Sequence, residues 1–162
     1  MGRMNVASEN SFQLIFPKLP YEDSIDREFV LHIYETIMPG VSFNKSEVHW
    51  QGYVMPNISD NLQYDEWNVQ FDIDENFNNW KRIYKWMSNI NNNKDIAGQS
   101  LNDYSVDADL LVYDNYERTV IKSLFRGIMP VSLGAITFSS REGENYLTSE
   151  VTFAYIYFEM RE

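Results

Sequence analysis

Cysteine is absent from the 162 residues. That excludes disulfide bridges and thiolate metal centres, and nothing marks the compartment as oxidising. Histidine is nearly absent too: His32 sits in an apolar run and His49 stands beside Trp50. A zinc site needs more nitrogen or sulfur ligands at suitable spacing, and no H-x-x-x-H occurs, so both read as structural. Basic residues are few, 13 against 24 acids, for a formal net charge of -11. Such a surface repels phosphate and excludes a clamp on nucleic acid, while keeping a monomer soluble. No apolar run is long enough to span a bilayer, and the opening MGRMNVASEN lacks the apolar stretch of a secretory signal, so no membrane anchor is expected.

The nucleophile elbow G-x-S-x-G, the phosphate loop G-x-x-x-x-G-K-S/T and the dinucleotide fingerprint G-x-G-x-x-G are all missing. Asp72, Asp74 and Asn76 have the D-x-D-x-N spacing of half a calcium loop. Phe77, however, occupies the position that needs glycine, and Ile83 the position of the bidentate glutamate. No catalytic, metal-ligating or cofactor-binding residue is assigned, and the chain does not read as an enzyme. A hydrolase using paired acids would need a carboxylate separation that sequence alone does not fix.

What the chain does have is apolar and aromatic: 44% hydrophobic, with 4 Trp, 11 Tyr and 10 Phe. Those ring-bearing residues favour strands. SFQLIFPKLP (11–20) reads as a strand closed by prolines, and 21–28 as a charged connection. FVLHIYETI (29–37) reads as a strand buried on both faces, and SEVHWQGYV (46–54) as another strand. In WNVQFDID (67–74), Trp67, Val69, Phe71 and Ile73 point one way. Asn68, Gln70, Asp72 and Asp74 point the other, as in a sheet wetted on one side. Then the period lengthens: Phe77, Trp80, Tyr84, Met87 and Ile90 predict an amphipathic helix over 75–90, ended by Asn91, Asn92 and Asn93.

A polar loop is expected over 93–107, a strand over 107–114 and a turn over 115–118. TVIKSLFRGI (119–128) is a strand leading into FRGIMPVSLGAITFSS. There Gly127, Pro130 and Gly134 predict breaks before a new strand. A turn at 141–145 and one long strand over 146–160 close the chain. The pattern predicts a mainly β protein, an antiparallel β-sandwich or barrel with one flanking α-helix. Residues 1–10 form an N-terminal arm and 11–162 a single domain. Tyr34, Trp50, Tyr53 and Tyr64 suit either a carbohydrate-stacking face or core and subunit interface. A carbohydrate-binding β-sandwich is therefore an alternative from a different class.

The order of these parts resembles the tail tube proteins of contractile-tailed bacteriophages, the myoviruses, from about residue 11 to the end. SFQLIF, the strand with its Pro-Gly break, the long loop, YDEW before the alternating strand, the helix with W-x-x-x-I, FRGIMPVSLGAITFS and TFAYIYFEM carry the likeness. It implies a structural virion protein: a homo-hexameric ring whose inner sheets join into a β-barrel. Such rings stack into the inner tail tube, the conduit for DNA ejection. The implied partners are the tail sheath protein outside, tape-measure protein and DNA transiently in the lumen, and baseplate and terminator proteins at the ends. The implied location is the virion tail, assembled in the host cytoplasm. A tube initiator or terminator with the same fold, or a tube subunit of a related contractile injection system, is the near alternative. By the same likeness 38–62 is the inter-ring stacking loop, carried by Pro39, Gly40, Val41, Phe43, Val54, Met55 and Ile58. Those apolar residues fit burial by the next ring or folding back on the domain. Asn68, Gln70, Asp72 and Asp74 are a polar face for lumen or outer wall.

Overall fold

Alternation becomes inside and outside directly in strand β8 (Trp67–Asp72), where Trp67, Val69 and Phe71 are fully buried. The computed structural model describes residues 12–20, 29–58, 61–93, 101–114, 116, 118–140 and 146–161. The arm at 1–10, the connection at 21–28 and the turn at 141–145 lie outside the described residues.

Two antiparallel sheets share one strand. Sheet A contains β1 (Phe12–Phe16), β2 (Phe29–Leu31), β9 (Val106–Tyr113), the first part of β10 (Thr119–Leu133) and β12 (Tyr157–Arg161). Sheet B contains the second part of β10, then β11 (Thr148–Ala154), β8 and β3 (Ile33–Thr36). The end strands of this path, β2 and β3, are consecutive in the chain across His32, whose carbonyl accepts the Asp72 N–H at 3.0 Å. The architecture is the expected sandwich with a flanking helix, and the described ladders do not close into a barrel within one chain. Between the sheets, Phe16 meets Phe153, and Trp67 stacks on Phe125 with centroids 4.0 Å apart.

Three expected elements are bent into corners. The run at 29–37 splits at His32, and Tyr34 and Glu35 are exposed rather than buried on both faces. The expected breaks at Gly127 and Pro130 are corners inside one continuous strand. Gly127, at φ 65, gives its N–H to the Asp107 carboxylate at 3.1 Å, and pairing with β9 slips between Phe125 and Ile128. Pro130 has no N–H and sits at a second irregularity, against β11, where proline is tolerated. A strand that slips twice in this way can leave one sheet and join the other. The new strand expected after Gly134 does not form over 134–140. The long final strand likewise splits into β11 and β12 at Tyr155 and Ile156, and the Ile156 N–H bonds the Arg126 carbonyl.

The helix forms three residues later than expected, α1 (Asn78–Asn93), and runs through the asparagines. Asp74 causes the offset: its carboxylate accepts the Asn78 N–H at 2.6 Å, as a side chain at a helix start does. Buried Asn79 ties that start to β8 by donating to the Asp72 carbonyl. Ile83 and Trp86 are the fully buried positions; Trp80, Met87 and Ile90 flank them, and Tyr84 is exposed. The 93–107 segment holds a short helix, α2 (Leu101–Tyr104), whose Tyr104 carbonyl accepts the Trp86 indole N–H.

Candidate assembly surfaces

The expected strand at 46–54 is a hairpin, β5 (Lys45–Trp50) and β6 (Tyr53–Ile58). Gln51 and Gly52 both have positive φ, the requirement of a type I′ turn. Glycine supplies one such residue without strain, so the tight reversal falls here. Neither strand pairs with the main sheets. Below the hairpin, β4 (Val41–Ser42) pairs with β7 (Gln63–Tyr64), and the Gly40 carbonyl accepts the Asp65 N–H. The whole forms one arm, rooted where Pro39 is buried. Tyr64 packs on Tyr155 and Phe158, and the Tyr155 hydroxyl donates to the Asp65 carbonyl.

Directly opposed residues of an antiparallel pair share a face. Val48 opposes Met55 and Trp50 opposes Tyr53, so the outer part of one hairpin face is apolar up to the tip, above a polar Ser46–Asn57 pair at the base. Trp50 is 62% and Tyr53 75% exposed. Val54 and Ile58 lie on the other face, with Lys45, Glu47 and His49. Val41 and Phe43, nearer the root, are also half-exposed. The loop therefore does not fold back on its own domain. An isolated two-stranded hairpin with bare apolar faces is at best marginal in water, which argues for a partner that covers it. Val48, Trp50 and Tyr53 were missing from the sequence-derived loop residues. Gln51-Gly52 inside an alternating run was the signal for them.

The polar residues of β8 fall on the outer face of sheet B. Glu35, Gln70 and Glu150 align across β3, β8 and β11; Asn68 opposes Thr152, and Asp72 opposes Thr148. Tyr34 donates to Gln70 at 2.6 Å and Asn68 to Thr152. Asp74 does not join this face; it serves the start of α1. The strands β3, β8 and β11 carry no lysine or arginine, so the charged side chains they place on this polar face are all acidic. The outer face of sheet A is different: Lys122 pairs with Asp109, Arg126 with Asp107 and Arg161 with Glu159. The hydrogen bond from Arg126 to Asp107 raises the guanidinium pKa further.

Among the described residues, no group of three or more histidines and carboxylates is placed to hold a metal ion. The four aromatics offered for sugar stacking do not share one face. Trp50 and Tyr53 are at the hairpin tip, Tyr64 is packed at the root, and Tyr34 is bonded on sheet B. No described helix is long and apolar enough to cross a membrane.

The sequence matches the family model described as phage tail tube protein over residues 7–161. No curated protein matches it. The fold is similar to a chain of the anti-feeding prophage baseplate, seen by cryo-EM with 6-fold symmetrisation. That pair has 9% identity and a TM-score of 0.73, covering 98% of this chain and 97% of that one. It is also similar to a chain of the sheath/tube terminator of the extracellular contractile injection system PVC, with 11% identity, TM-score 0.65 and 99% of each chain covered. A third likeness is to a chain of the PVC sheath-tube complex in the extended state, with 10% identity and TM-score 0.63, covering 96% and 91%.

Proposed function

This chain belongs to the phage tail tube protein family, and from that premise we propose that it is the structural ring subunit of an inner tail tube. Six copies close a ring and rings stack into the conduit for DNA ejection. The observation that carries the reading is the arm at 40–65, an apolar hairpin held off the domain on a fixed root and left without a partner. A subunit that only folds has no use for it; a subunit that stacks does.

The free edges of sheet B support ring closure. Among the described residues, β3 and the 129–133 half of β10 each have one unpaired side. Unpaired edges invite pairing with another copy, and cyclic closure uses them up. The outer face of sheet B then lines the lumen, with Asn68, Gln70 and Asp72 on it. Its carboxylates repel phosphate within about 8 Å at physiological salt, so DNA slides and does not stick. The ion-paired face of sheet A is left for the sheath. Tape-measure protein passes through the lumen, baseplate and terminator proteins meet the tube ends, and the place of action is the virion tail after assembly in the host cytoplasm.

A second reading has its own support. The similar folds include baseplate and terminator chains, so a tube initiator or terminator is compatible with this architecture. Copy number in the particle separates the two: many rings for the main tube, one for an end protein.

Electron microscopy of the purified protein tests the reading. Rings, or tubes of constant width, are expected, and Met55→Asp should leave rings while abolishing stacks. A monodisperse monomer over a wide concentration range would overturn it.

A further inference from the structure

A second unpartnered apolar feature lies away from the arm. Phe77, Trp80, Ile136 and Phe138, with Lys81, line a groove of about 380 Å³. The Trp80 indole N–H bonds the Gly134 carbonyl, which holds the 134–138 segment beside α1. Phe138 is 71% exposed, and its ring lies 6.0 Å from that of Phe77. Phe77 itself is held at φ 59, a left-handed conformation disfavoured for a bulky residue. Such strain is kept where the surroundings over-determine it, and it clusters at working surfaces. Here it turns an aromatic ring into the groove wall.

The groove and the hairpin are rooted at opposite ends of sheet B. Strand β8 begins at Trp67, beside the arm, and ends at Asp72, beside the start of α1. The chain after Leu133 continues to that same end, with the Gly134 N–H on the Glu150 carbonyl. Charge favours one occupant. Helix α1 carries Lys81, Arg82 and Lys85 and no carboxylate, although Asp74 and Glu75 precede its start, on a chain of net charge -11. The hairpin carries one lysine, Lys45, and one carboxylate, Glu47. On so acidic a chain, the neutral hairpin and the basic helix are places where a second copy approaches with little repulsion.

We propose that the Trp50–Tyr53 tip of one copy seats in the Phe77, Trp80 and Phe138 groove of a second copy in the next ring. This deepens the stacking reading and rests on it. Each copy gives one tip and receives one. The contact is heterologous and propagates along an open stack instead of closing a pair. Trp and Tyr are suited to the task, being large, rigid and enriched at the centres of interfaces.

The lack of native cysteine makes the test direct. Tyr53→Cys and Phe138→Cys are combined in one chain, and assembled tubes are treated with a short bis-maleimide cross-linker. Ladders of many linked chains are expected from the double variant and single chains from either variant alone. Tubes that form normally but give no ladder overturn the proposal and leave the stacking reading standing. Cross-linked pairs from Tyr53→Cys alone also overturn it, because tip would then meet tip. If the unaltered protein forms neither rings nor tubes, the stacking reading itself fails and takes the proposal with it. Phe77→Asn gives a second readout, since asparagine accepts the left-handed backbone while deleting the ring. Rings without stacks are expected, whereas Val120→Asp, also on an exposed apolar side chain, should leave stacks intact. Normal stacking of Phe77→Asn overturns the proposal.

Discussion

The Tyr155 hydroxyl donates to the Asp65 carbonyl at 2.8 Å, joining the corner between β11 and β12 to the root of the arm. With the Tyr64 ring packed on Tyr155 and Phe158, this bond sets the direction in which the hairpin leaves the domain. Tyr155→Phe keeps the ring and removes the bond. It should cost about 0.5–1.5 kcal/mol in urea unfolding, and speed hydrogen exchange across 40–65 more than elsewhere.

The same hydroxyl predicts an alkaline limit. Burial, and then the charges of Asp65 and Tyr64, push its pKa up to about 12. Above the ordinary tyrosine value of about 10 the unfolded chain releases this proton while the folded chain still holds it. Its contribution to stability is therefore complete below about pH 10 and declines as pH rises from roughly 10 through 12. Urea midpoints measured across that window should fall more steeply for the unaltered protein than for Tyr155→Phe.

Gly127→Ala should destabilise by more than about 1 kcal/mol, because φ is positive there. The new Cβ would also lie 2.6 Å from the Ile156 side chain. Adding Ile156→Ala should restore the part due to contact and leave the backbone part. Thermal unfolding of the single and double variants measures both.

If sheet B lines the channel, Gln70→Lys with Glu150→Lys places cations opposite each other on its wet face. Tubes should still assemble. DNA should then be retained, with a salt dependence that follows from the added phosphate contacts. Ejection rates at low and high salt, unaltered against variant, are the measurement.

How much of this was legible in the sequence depended on whether a residue's neighbours in the chain were also its neighbours in space. Trp67, Val69 and Phe71 announced a half-buried strand because one sheet covers one side of them. The helix was legible as a helix, but Asp74 displaced its start by capping, and Ile83 and Trp86 proved to be its buried centre. The corners were legible in part: Gly127 and Pro130 marked where the chain bends, but not that one strand runs through both bends and changes sheets. A strand that changes sheets keeps its β character throughout, and the contacts that fix the change, such as the Gly127 N–H on the Asp107 carboxylate, are made across the fold. The hairpin within the 38–62 loop was read as one strand, because Gly52 fits an alternating pattern as easily as it fits a turn. The acidic face of sheet B became visible only when pairing set Glu35 and Glu150 on either side of Gln70.

Strand β10 belongs to both walls of the sandwich, and this has a mechanical meaning. In the proposed ring, a push on the inner wall would enter through the 129–133 half, where it meets β11. It passes along covalent backbone into the 119–128 half and spreads into the ladders with β9 and β12. Load carried along β10 itself would act on those ladders in shear, shared over many hydrogen bonds. A ring assembled as proposed would then pass thrust between its two walls through continuous backbone instead of through a hinge.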